Sequence, residues 1–125
     1  QRGSTIAHIA RAALESAAFQ TAELLEAMAK DGVAPQRLRV DGGMARNPYF
    51  LSFLATALDK TVLVPSSVNL TALGTARMAM IGAGAPELPA LPPPAHFIAP
   101  AGGFGAEASS RFAEAVTRAR AWRRS

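Results

Sequence analysis

Apolar residues recur at helical spacing in four stretches of the chain and as short strand-like runs in two others. Over residues 4–31, Ile6, Ile9, Ala10, Ala13, Ala17, Leu24 and Met28 share one helical face, predicting a long amphipathic helix with Ser4 or Thr5 as N-cap and Gly32 as stop. Pro35 then breaks the chain, and "RLRV" reads as a short strand ending at Asp41. Helical spacing returns with Phe50, Leu51, Phe53, Leu54, Ala57 and Leu58, preceded by Asn47 as N-cap and Pro48 at the favoured first position. A second strand, "TVLVP", follows Asp59 and Lys60.

The stretch from about Leu70 to Ile81 predicts a helix of small residues ended by Gly82 and Gly84, in which Thr71, Leu73 and Gly74 serve capping and close packing on the sheet. Residues 85–103 hold six of the nine prolines and two glycines, so an extended connector without regular structure is expected there. From Glu107 to about Arg123, the spacing of Phe112, Val116, Ala119 and Trp122 predicts a closing amphipathic helix.

Strands joined through helices pair in parallel with right-handed crossovers, so this order indicates an α/β fold of short parallel strands. Two strands with open edges make a marginal sheet. Further strands are therefore expected from sequence outside these residues, and the isolated chain is expected to pair with itself as a homodimer. A length of 125 residues suits one small domain or part of one, and the start at Gln1 suggests a piece of something longer. The expected division is 1–84 as a helix–strand–helix–strand–helix unit, 85–103 as the connector and 104–125 as the final helix.

Half the residues are hydrophobic and 18% are charged, which excludes a disordered chain. No cysteine is present, so disulfides and thiolate metal sites are ruled out and a cytoplasmic location is the simpler reading. No apolar run is long enough for a membrane span. The formal charge of +4 owes much to Arg118, Arg120, Arg123 and Arg124, a basic helix end favoured by its own dipole. Aromatic residues are not interleaved with these arginines, so nucleic acid is not an expected partner.

Phosphate-loop, zinc-protease and nucleophile-elbow motifs are all missing. His8 and His96 lack acids at ligand spacing and read as ordinary polar residues. Asp41 reads as a residue that serves the turn through its own backbone bonds rather than as a base. What remains is "LRVDGGMARNPYF", where a strand hands over to a helix through Asp41-Gly42-Gly43. On the glycines alone, a tight turn is the stronger reading, because glycine adopts positive φ without a Cβ clash.

The longer stretch shifts that balance. It resembles the adenosine-binding turn of the actin, Hsp70 and sugar kinase superfamily, with its ribonuclease H-like, actin-like ATPase domain. Together with "RAALESAAFQTAELLEAM" and "LVPSSVNLTALGTARMA", in order over roughly residues 5–84, it is similar to the C-terminal part of the FGGY carbohydrate kinases, nearest to the glycerol kinases. Asn69 stands where glycerol kinases usually have an acidic residue, and Met44 and Pro48 also depart from their commonest turn.

The resemblance implies an ATP-dependent phosphotransferase acting on glycerol or a related polyol or sugar. It implies that the Gly42-Gly43 turn binds the nucleotide, with the Gly43 backbone against the adenosine and Asn47 near the purine edge. Arg46 stands where a guanidinium would stack beside the adenine, and a solvated surface charge is an equal reading for it. The catalytic aspartate, the sugar pocket and most contacts to phosphate and magnesium are implied to lie before Gln1, so these residues alone would not be a working kinase. The alternative from another class is a non-enzymatic association module built on the long helix and open strand edges.

Overall fold

Helix α1 (Ile6–Lys30) begins where Thr5, in an extended conformation, caps it: the Thr5 hydroxyl accepts the His8 N–H at 3.4 Å and the His8 Nδ1 accepts the Thr5 N–H at 3.1 Å. Histidine thus takes the part usually played by glutamate in a reciprocal capping box. The helix stops at Asp31, and Gly32 turns the chain away at φ +86°. A computed structural model of the chain describes residues 3–66, 69–91, 93–102 and 105–122. Gln1, Gly103, Arg123 and Arg124, named above, lie outside the described residues.

After α1 come β1 (Arg37–Arg39), a short 3-10 turn (Gly43–Arg46), α2 (Pro48–Leu58), β2 (Thr61–Pro65), α3 (Leu70–Gly82), β3 (Pro94–Ile98) and α4 (Gly105–Ala121). Strands β1 and β2 pair in parallel, with Leu38 opposite Val62, as strands joined through a helix should. The third strand is a correction: the proline-rich stretch expected to hold no regular element supplies β3, antiparallel to β2, with Leu63 opposite Phe97 and Val62 opposite Ile98. Proline is compatible with a strand's first residue and with an edge. Here Pro94 is that first residue and faces Pro65, where the ladder ends. The additional strand needed to widen the two-strand sheet therefore comes from this chain, in the order β1-β2-β3.

The core lies between the sheet and three helices. Leu54, Ala55 and Val62 are almost fully enclosed, with Phe50, Leu51 and Phe53 of α2 and Ala18 and Phe19 of α1 around them. The buried face of α1 is also a correction. Ala18, Phe19 and Leu25 point inward, whereas Ile6 and Leu24 of the expected stripe are 86% and 60% exposed. The partners decide the face: Phe19 meets Phe53 edge-on at 5.4 Å and stacks on Phe112 of α4 at 4.9 Å, arrangements that aromatic quadrupoles favour.

Helix α3 does not pack as its small residues suggested. None of its residues is buried, Met78 is 69% exposed, and a methyl group placed on Gly74 would meet nothing within 4 Å. It is tied down at its far end, where the Arg77 guanidinium donates to the Pro89 carbonyl. Farther on, the Ala101 N–H donates to the Thr56 hydroxyl of α2 at 3.1 Å, so the segment after α3 is fastened at both ends to what precedes it.

Candidate functional site

The handover from β1 to α2 is built by four successive backbone devices. The Val40 N–H donates to the Leu63 carbonyl at 3.1 Å, carrying the pairing one residue beyond β1. The Asp41 carboxylate then accepts the Gly42 N–H at 2.7 Å, the turn-serving role its position suggested. Gly42 adopts φ +98°, a region that glycine alone enters at little cost, and its carbonyl accepts the Ala45 N–H at 3.1 Å. Finally, Asn47 leaves the turn in an extended conformation and its Oδ1 accepts the Phe50 N–H at 3.2 Å, capping α2 with Pro48 at the first helical position.

The two glycines therefore differ in kind. Gly42 is demanded by its conformation. Gly43 has no positive φ, and a Cβ on it would meet nothing within 4 Å, so neither geometry nor packing inside the described chain calls for glycine there. Its backbone lies open on the surface beside Asn47, which is half-buried, and Arg46, which is exposed.

A hollow of about 540 Å³ opens at the carboxyl ends of β1 and β2, where α/β sheets usually receive ligands. Of the residues named from sequence, Gly42 and Arg46 line it, with Asp41, whereas Gly43 and Asn47 do not border it. Across it stand Ser66 and His96. His96 reached this place because Val64 pairs with it across the β2–β3 ladder, and only recognition of β3 would have placed it there. Among the described residues no three histidine, aspartate or glutamate side chains converge.

The Asn47 oxygen accepts the Phe50 N–H with one of its two lone pairs, and the Nδ2 amide remains as a donor to a ligand. Two residues on, Tyr49 reaches back to α1, its hydroxyl donating to Glu15 Oε1 at 2.5 Å, while Arg11 Nε donates to the same oxygen at 2.6 Å and its guanidinium lies 5.7 Å from the Tyr49 ring centre.

Burial raises the Glu15 carboxyl, but the hydrogen bonds from Tyr49 and Arg11 and the charge of Arg11 outweigh it and hold the group below the usual carboxylate range. Burial first, then the bond to Glu15 and its negative charge, push the Tyr49 phenol up. A carboxyl depressed by folding contributes stability above its unfolded pKa and loses it as pH falls through the folded value. Replacing Glu15 by Gln should therefore lower the urea midpoint of the chain at pH 7, and the gap between the two proteins should close as pH drops below about 4. A gap that stays constant down to pH 3 would show that the carboxylate charge contributes nothing.

The profile of the FGGY family of carbohydrate kinases, C-terminal domain, matches residues 1–83. Glycerol kinases of Methylibium petroleiphilum and Deinococcus radiodurans are 51% identical over 88 residues and 52% identical over 84 residues, each match covering 66% of this chain. The chain spans only 18% and 17% of the length of those two relatives. In solved structures, a xyloylose kinase from Brucella ovis superposes with a TM-score of 0.83 at 26% identity, over 98% of this chain and 27% of that one. A Plasmodium falciparum glycerol kinase with ADP gives 0.77 at 25% identity, over 94% of this chain and 25% of that one. The structural likeness thus runs past residue 83 into β3 and α4 and carries the actin-like ATPase fold with it. With its sequence matched through α3 and its architecture matched almost end to end, this chain belongs to the FGGY family of carbohydrate kinases, within their C-terminal domain.

Proposed function

We propose that the chain is the adenine-facing portion of an ATP-dependent kinase that phosphorylates glycerol or a related polyol or sugar. Residues 1–84 form the C-terminal part of its nucleotide-binding domain, followed by the segment 85–103 that supplies β3 and by the final helix. The observation that carries this reading is Gly43, a glycine that its own chain does not need: an uncovered peptide lets a flat purine lie directly on the backbone. Family membership supplies the class of chemistry, and one structural neighbour holds ADP.

In this reading the adenosine lies on the Gly42-Gly43 turn, the Asn47 Nδ2 donates to a ring nitrogen of the purine, and the Arg46 guanidinium stacks beside the ring. Phosphoryl transfer also needs a base for the attacking hydroxyl, a cradle for the phosphates and magnesium. The chain spans only 18% and 17% of two glycerol kinase relatives, and in this reading those parts belong to the rest of a longer, cytoplasmic enzyme, so that this chain by itself does not transfer phosphate. Its residues bind and orient the nucleotide, and their loss acts first on ATP affinity.

The test is Asn47→Asp in the intact kinase, because aspartate keeps an oxygen for the cap while removing the donor. Losing one hydrogen bond should raise the KM for ATP by about 3- to 10-fold and leave the KM for the polyol within twofold. An unchanged KM for ATP would remove Asn47 from the site. A second reading, self-association of two copies without catalysis, is favoured by the exposed apolar surface of α3 and of the first turns of α1. Light scattering combined with an ATP titration separates the two, since a tight dimer indifferent to nucleotide supports association.

A further inference from the structure

Glu15 lies in the N-terminal half of α1, before the first fully enclosed residue of that helix, Ala18. The apolar cluster shared by α1 and α2 takes in Ala18 and Phe19 of α1 and runs along α2 from Phe50 and Leu51 in its first turn to Phe53 and Leu54. On the outer side of that first turn the two helices are also joined by a polar tether: the Tyr49 hydroxyl on Glu15, and Arg11 bonded to Glu15 from the preceding helical turn. The Tyr49 ring also stacks on Phe53 at 6.1 Å, which leads into the Phe19 and Phe112 contacts. A hydrogen bond to an ionised carboxylate is stronger and more directional than a neutral one, and a guanidinium that grips the same oxygen restricts where the carboxylate can point.

Tyr49 is the second residue of α2, and Asn47 is its cap, two positions earlier in the chain. Holding Tyr49 adds to the buried Phe50 and Leu51 a third anchor for the first turn of α2, on its outer side, and so sharpens the direction in which the Asn47 amide projects. We infer that Arg11, Glu15 and Tyr49 form a positioning device by which α1 sets the aim of Asn47, and so the affinity for the adenine ring, without touching the nucleotide. The inference rests on the adenine-facing reading above. None of the three is a catalytic residue. A site group held within about half an ångström by partners of its own is what preorganised binding requires.

The experiment uses the intact kinase carrying Tyr49→Phe, Glu15→Ala or Glu15→Gln, with Asn47→Asp as reference, and amide hydrogen exchange at Phe50 in the same proteins. Tyr49→Phe and Glu15→Ala should each raise the KM for ATP by about 3- to 10-fold, with kcat and the KM for the polyol within about twofold. Both should speed exchange of the Phe50 amide, which reports the Asn47 cap. Glu15→Gln retains an oxygen for Tyr49 and should restore the KM for ATP to within about twofold of the native enzyme.

A Tyr49→Phe enzyme with native KM for ATP, when Asn47→Asp raises it, overturns the positioning role and leaves the adenine reading standing. Native values in both variants overturn the adenine reading and the inference with it. A loss spread equally over kcat and both KM values also overturns the inference, since it marks general structural damage.

Discussion

Leu54→Ala should destabilise the chain by about 3 kcal/mol, within the range for emptying a fully enclosed leucine site. Leu54 is 1% exposed and sits on α2 among Phe50, Phe53, Ala55 and Val62, where helices and sheet meet. The lost methyl groups forfeit transfer free energy, and a site bounded on several sides by a sheet strand and aromatic rings cannot collapse around the void. A domain of this size has roughly 5–15 kcal/mol in hand, so such a loss moves the urea midpoint far. The control is Leu24→Ala on α1, which belongs to the helical stripe expected from sequence but is 60% exposed, and should cost under about 0.5 kcal/mol. Equal costs at the two positions would mean that α1 buries the stripe the sequence suggested and that its orientation here is wrong.

That contrast marks the line between what the residues declared and what they did not. Signals that act within a few positions were legible: a cap at Ser4 or Thr5, which Thr5 supplies, Gly32 as stop, Asn47 with Pro48 as the start of α2, and Asp41 bonded to its own turn. Each is satisfied by neighbours along the chain, so the sequence holds cause and effect side by side. The face of α1 was not legible, because the helix carries apolar side chains on two sides and the choice is made by Phe53 and Phe112, 34 and 93 positions beyond Phe19. Strand β3 was hidden for the same reason. Its local composition says connector, and only the free edge of β2 makes a strand of it.

The candidate site divides along this line as well. The turn itself could be read off, including that Asp41 serves it through a bond to the backbone. One fact could not: that His96 comes across the sheet to line the same hollow as Arg46. It depends on the pairing of Val64 with His96, 32 positions apart, between β2 and β3. The exposed helix α3 presents the reverse case, where small residues signalled close packing that the described chain does not provide.

Gly42 and Gly43 should give opposite responses to the same change. Gly42→Ala forces a side chain into φ +98° and should cost about 1–2 kcal/mol of stability. Gly43→Ala faces no such strain and no neighbour within 4 Å; by restricting the unfolded chain it should leave stability unchanged or raise it by up to about 1 kcal/mol. In the intact kinase, a side chain at 43 would stand where the purine is proposed to lie, so Gly43→Val should raise the KM for ATP by about 10- to 100-fold, with the polyol KM held within twofold. Urea unfolding of the chain and steady-state kinetics of the enzyme measure the two halves separately. A valine at 43 that folds normally and leaves the KM for ATP untouched would mean that no ring rests on this peptide, and the bare backbone would then need another occupant.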